Sequence, residues 1–270
     1  MGVIDFRGLL EVKWFICSGA KFSLPKCRMG RNLRKIFRGK ILFLAPLFLL
    51  LAACATPLSE VAQDFRSFKP TLIAVLPVKN ETADMDGPIV FRILARAELA
   101  DKGYALVDPA RIDAALREKG IEEAGQIDAL TPQEIGECVG ADSLLYINVS
   151  SYGRQAGVHL KMEGSFTLVN SRTGQKLWFS ELSVSDDILL EGGAAVLMGE
   201  LFGGKDKAKS RQRAMETYLA IRQARITQAV NRFRAHPIRR EVFKVITLDM
   251  DKIYLLEIFF ARNFSKLPRP

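Results

Sequence analysis

The chain has 270 residues, 49% of them hydrophobic and 26% charged, with 39 Lys and Arg against 30 Asp and Glu. That is ordinary globular composition and excludes a disordered, collagen-like or disulfide-scaffold protein. The formal net charge of +9 suggests a nucleic-acid binder, until the charge is located along the chain.

Residues 1–53 hold ten basic and two acidic side chains, a net of +8. The basic stretch ends where the apolar run Ile41–Leu51 begins. A basic flank, about ten apolar residues and then small residues is the layout of an export signal. The run is short for a membrane span, which needs about 20 apolar residues. Leu51, Ala52, Ala53 and Cys54 form a lipobox. In that class of signal the Cys54 thiol takes a diacylglycerol, and the peptidase recognises Leu51, Ala52 and Ala53 before cutting ahead of Cys54. Ala55 follows the cysteine, which favours the outer membrane by the sorting rule of enteric bacteria. A signal starting at Met1 would be far beyond the usual 15–30 or so residues. Met29 is therefore read as the true start. Residues 29–53 are then the signal peptide, and 1–28 a start-site artefact or disordered extension.

Residues 54–70 read as a lipidated tether, and 71–236 as one α/β domain. Thr71–Val78 is an apolar, β-branched run typical of a buried strand. Asp86-Gly87-Pro88 opens a helix, with Val90, Ile93, Leu94 and Ala97 on one face and Gly103 at its end. Tyr104–Val107 reads as a short strand. Asp108-Pro109 starts a second helix with Ile112, Ala115 and Leu116 inward. Thr131-Pro132-Gln133-Glu134 is a capping box for a third, which Gly140 ends. Ser143–Val149 is another apolar strand.

The period then changes to two. Val158, Leu160, Met162, Phe166 and Leu168 alternate with polar neighbours, Asn170–Gly174 is a turn, and Trp178, Leu182 and Val184 alternate on the way back. A helix follows over about 210–235, striped by Met215, Leu219, Ile226, Val230 and Phe233, with Arg222 interrupting the stripe. The order β-α-β-α-α-β-β-β-α predicts one compact α/β domain, two- or three-layered, on a mixed sheet. Residues 237–270 change character and are set apart as a divergent C-terminal tail, an added hairpin or a helix.

Few motifs carry chemistry. Gly199–Asp206 approaches a phosphate-binding loop but has Asp206 where Ser or Thr should meet Mg²⁺. His159 and His236 lie far apart, and Cys138 has no CxxC partner, so no zinc spacing appears. His159 falls on the polar side of its strand. Asp186-Asp187 and Glu122-Glu123 read as loop solubility, and Cys138 as a buried, inert thiol. No cofactor or metal is expected. The small-residue, apolar segment 191–204 is the most unusual stretch. It is either a short helix covering the sheet or an apolar flap whose Val196, Leu197, Met198, Leu201 and Phe202 meet a partner or the membrane.

The ordered set Leu51-Ala52-Ala53-Cys54, Ile73–Pro77 with Asn80, Glu98–Tyr104, Gly140–Ile147 with Tyr152-Gly153, and Thr173–Trp178 resembles a family of bacterial outer-membrane lipoproteins that includes a conserved meningococcal antigen. The family looks like the TolB N-terminal domain and curli-secretion-type lipoproteins in fold. The resemblance implies a lipid-anchored, non-catalytic accessory of envelope assembly or transport, in contact with envelope proteins, and it carries over no catalytic residue; exposed sheet edges add self-association as a further expectation. The alternative is a periplasmic solute-binding or hydrolytic lipoprotein with an unrecognised pocket. Nucleic acid drops out, because residues 54–236 hold 22 basic and 24 acidic side chains.

Overall fold

The computed structural model describes residues 58–155, 159–186, 193–194, 196–200, 206–245 and 250–270. The apolar runs and caps set the local elements. After β1 (Leu58–Val61) and a single turn α1 (Phe65–Phe68) come β2 (Leu72–Val75), β3 (Lys79–Asn80) and α2 (Asp86–Lys102). Then follow β4 (Ala105–Leu106), α3 (Pro109–Glu118), a 3-10 turn (Ala124–Ala129) and α4 (Pro132–Val139). The long strands β5 (Ser143–Gln155), β6 (His159–Asn170) and β7 (Lys176–Asp186) precede α5 (Lys207–Ala235), a second 3-10 turn (Arg239–Lys244) and α6 (Met250–Phe264).

The cap chemistry acts where the sequence places it. Asp108 accepts from the amides of Ala110 and Arg111, and Thr131 and Glu134 form a reciprocal capping box. Gly140 closes α4 in the left-handed region at φ 71°, where a side chain would be strained. Helix α2 differs. Asp84, not Asp86, accepts from the amides of Asp86 and Gly87 at 2.9 and 3.1 Å.

The described strands form one open mixed sheet of seven, in the order β1-β7-β6-β5-β2-β4, with β3 also on β5. β2 is parallel to β4 and β5, while β5, β6, β7 and β1 are joined antiparallel. β2 is buried on both faces. Ile73 and Val75 join one core with Val90, Phe91 and Leu94 of α2. Ala74 and Leu76 join another with Ile112, Leu116, Ile135 and Val139 of α3 and α4. This half has three layers. On β6 and β7, Met162, Phe166, Leu168, Trp178, Leu182 and Val184 enter the first core, while Lys161, Glu163, Glu181 and Ser183 lie on the opposite face, so that among the described residues this half has two layers.

Two boundaries differ from the sequence reading. Residues 58–61 of the expected tether pair with Glu181–Trp178 of β7 as an edge strand. The expected tail is part of the core: Ile253, Leu255, Leu256, Phe259, Phe260, Phe264 and Leu267 are all buried in the first cluster. Phe264 meets Phe166 at 5.0 Å and Trp178 at 5.2 Å between ring centroids. Buried Asn263 is satisfied: Ser180 Oγ donates to its Oδ1, and its Nδ2 donates to the Phe259 carbonyl. Residue 158, placed on β6 by the alternation, lies outside the described residues.

Candidate interaction surface

Strand direction gathers several segments at one end of the sheet. β2, β5 and β7 run the same way, so their C-termini share an end, and α2, α5 and α6 all begin there. The Asn80–Asp86 loop is held locally. Asn80 Oδ1 accepts from the Thr82 amide and hydroxyl, and Asn80 Nδ2 donates to the Asp84 carbonyl. Asp84 also receives Lys252 Nζ at 3.4 Å, and the same ammonium lies 4.6 Å from the centre of the Tyr152 ring.

The strongest electrostatic element of this end is Arg222. It interrupts the apolar stripe of α5, yet its side chain is 10% exposed. Its guanidinium donates to both carboxylate oxygens of Asp186 at 2.8 and 2.6 Å, and to Asp251 at 2.9 Å. The hydrogen bonds from Arg222 to Asp186 push the guanidinium pKa further up and overcome the opposing effect of burial. Asp251 also faces Arg154 at 3.3 Å. The network ties β7, α5, α6 and β5 together. The reading of Asp186 as loop solubility is therefore corrected: it ends β7, is 5% exposed and is fully engaged. Asp187 lies outside the described residues.

Beyond β2 lies a groove of about 400 Å³, lined by Pro77, Pro88, Ile89, Arg92, Arg96 and Asp113 among others. Ligands of open α/β sheets commonly bind at such strand C-termini. Here the charges are turned on each other. Arg92 Nε donates to the Val75 carbonyl, its Nη1 and Nη2 meet Asp113 at 2.9 and 2.8 Å, and Arg96 faces Glu241 at 4.0 Å.

The residues singled out in sequence fall as follows. Leu51, Ala52, Ala53, Cys54, Leu201 and Phe202 lie outside the described residues. Val196, Leu197 and Met198 lie in a helical stretch, 196–200, with Leu197 55% exposed and Met198 also exposed. That stretch packs against the start of α5. A Cβ on Gly199 would sit 2.8 Å from both the Ala214 Cβ and the Ser210 carbonyl, and Glu200 pairs with Arg211 at 2.6 Å. Leu197 and Met198 face out, and residues 191–192, 195 and 201–204 of the segment lie outside the described residues. His159 is exposed, as its place on the polar side predicts. Cys138 is half-buried rather than buried. Its Sγ donates to the Ile135 carbonyl, and burial pushes its pKa up. Among the described residues, no group of three or more His, Cys, Asp or Glu is placed to hold a metal ion.

Residues 62–202, just over half of the chain, match the family described as "Putative lipoprotein GNA1162-like". The curated protein "Putative lipoprotein NMB1124/NMB1162" of Neisseria meningitidis serogroup B is 30% identical over 125 residues, which are 45% of this chain and 58% of that protein. The chain thus spans under two thirds of the length of this relative. Among solved structures, lipoprotein GNA1162 of N. meningitidis is 25% identical, covering 50% of this chain and all of that one, with a TM-score of 0.41. The C-terminal domain of Escherichia coli LpoB is 22% identical, covering 43% of this chain and 83% of that one, with a TM-score of 0.33. The PelC dodecamer of Paraburkholderia phytofirmans is 14% identical, covering 49% and 83%, with a TM-score of 0.33.

Proposed function

Because the chain belongs to the GNA1162-like lipoprotein family, we propose that Cys54 carries a diacylglycerol and that the α/β domain works from a membrane surface as a non-catalytic accessory in envelope assembly or transport. Residues 29–53 are the signal, read by its peptidase at Leu51, Ala52 and Ala53. Acyl chains such as palmitate hold the protein at the periplasmic face of the outer membrane. The observation that carries this reading is the family match beginning at residue 62, eight residues after the lipobox cysteine.

The domain then acts by protein–protein contact. β1 and β4 end the described sheet, and such edges offer strand pairing to envelope proteins or to a second copy. The mutual engagement of Arg92 and Asp113 in the groove beyond β2 supports contact over chemistry, because those groups are already neutralised by each other. Metabolic labelling with a fatty-acid probe tests the anchor. Label is expected on the intact chain and is lost in Cys54→Ala; label that survives the substitution sinks the reading.

A further inference from the structure

The groove beyond β2 lies where the paths of two neighbouring strands part. β2 and β4 pair in parallel, yet their connections leave to opposite faces of the sheet. The chain after β2 enters α2, which packs on the first core, and the chain after β4 enters α3, which packs on the second. A crevice opens between two such connections, and open α/β sheets commonly hold their ligands at that point. Residues of both connections line this one: Pro77 follows β2, Pro88 and Ile89 belong to the first turn of α2, and Pro109 opens α3.

The walls are apolar and already in place. Pro77, Pro88 and Pro109 bring no backbone N–H and a fixed φ, and Ile89 and Ile93 fill out the side formed by α2. Ile89 is 51% exposed, so the groove opens to solvent. Small-ligand sites of this size combine apolar walls with a few placed polar groups. At about 30 Å³ for each water-sized group, about 400 Å³ takes a ligand of roughly a dozen heavy atoms.

The charged groups of the lining are Arg92, Arg96 and Asp113, an excess of one positive charge. Arg92 is spent, because the Val75 carbonyl and both Asp113 oxygens take its donors. Arg96, four residues further along α2, is not. The carboxylate it faces, Glu241, is 43% exposed and stands at 4.0 Å. No described group accepts from the buried Nε of Arg96. A guanidinium with its fork unfilled matches a planar carboxylate through two parallel hydrogen bonds.

We propose that this crevice binds an amphipathic monoanion, a medium-chain carboxylate, with the head group on Arg96 and the chain against the proline and isoleucine walls. The site holds its ligand and does no chemistry on it. It is independent of the lipid at Cys54 and of the sheet edges.

The test uses the full chain in detergent and octanoic acid carrying a diazirine near the end of its chain, with the photolabel mapped by tandem mass spectrometry and measured against label on the rest of the chain. Label is expected on residues 88–96 of α2 and is displaced by unmodified octanoate. Arg96→Gln should lower it at least fivefold, while Glu241→Gln, which removes the competing carboxylate, should raise it about twofold. Arg96 and Glu241 share only their long ion pair, so both variants are expected to fold, and circular dichroism checks it. Octanol with the same diazirine carries no charge and should label the groove at most a fifth as well. Groove label that is equal for acid and alcohol, or indifferent to Arg96→Gln, is apolar partitioning and overturns the proposal. A groove that millimolar probe leaves unlabelled overturns it too, as does label that appears only when the protein is diluted, which shows a second copy seated there.

Discussion

The Arg222 network can be broken at one residue. Arg222→Met keeps most of the side-chain length and removes three hydrogen bonds, two to Asp186 and one to Asp251. Asp251 retains Arg154. Asp186, 5% exposed, loses the only cation the described structure gives it. Removing one partner of a buried pair costs about 3–5 kcal/mol, because the remaining charge is left desolvated. With a urea slope near 2 kcal/mol/M, the midpoint falls by roughly 1.5–2.5 M. The assay is urea unfolding of the detergent-solubilised protein, followed by circular dichroism. The double variant Asp186→Leu with Arg222→Met recovers most of the loss, since apolar replacement of a buried pair is often neutral or stabilising. A loss below about 1 kcal/mol in the single variant, typical of exposed pairs, would refute the claim that this pair is effectively buried. A double variant no better than the single one would show that packing, not charge, carries the cost.

Two further substitutions read other parts of the fold. Gly136→Ala drives a Cβ into the Ser171 Cβ across the close approach of α4 to the β6–β7 turn, so overpacking should cost about 1–3 kcal/mol, and Ser171→Gly in the same chain should return part of it; a neutral Gly136→Ala in thermal unfolding would count against that close approach. Burial raises the Glu98 pKa above 4.5, with Arg239 opposing the shift. The folded state then holds a proton that the unfolded state has released, so the contribution of Glu98 to stability declines as pH rises from about 4.5 through its folded value. The unfolding free energy of the intact protein should fall relative to that of Glu98→Gln across that window and run parallel to it above; parallel curves throughout would mean that burial does not hold the Glu98 proton.

Features written in neighbouring residues were legible in the sequence. The caps at Asp108 and Thr131, the helix stop at Gly140 and the Asn170–Gly174 turn each depend on groups within a few positions. The alternation on β6 and β7 reported its own buried face. What was missed depends on distant partners. Arg222 reads as a flaw in an apolar stripe, because Asp186 lies 36 residues before it and Asp251 lies 29 after it. β1 is four mostly exposed residues whose strand character comes entirely from β7, more than 100 positions later. The aromatic run of α6 suits a strand or a helix by composition; its contacts with Phe166 and Trp178 show which face is apolar. The lipobox, outside the described residues, was legible because its four residues are contiguous.

The pairing of β1 with β7 also has a mechanical side. A pull on Leu58 directed along β1 would load the strand lengthwise. Its registered pairs, Leu58 with Glu181 through Val61 with Trp178, are then sheared together rather than peeled one after another. Beyond Val61, the Ala62 amide adds one more backbone hydrogen bond to the Leu177 carbonyl at 2.8 Å. A short edge strand, weak as a source of thermodynamic stability, would under that loading resist shear through all of these bonds at once.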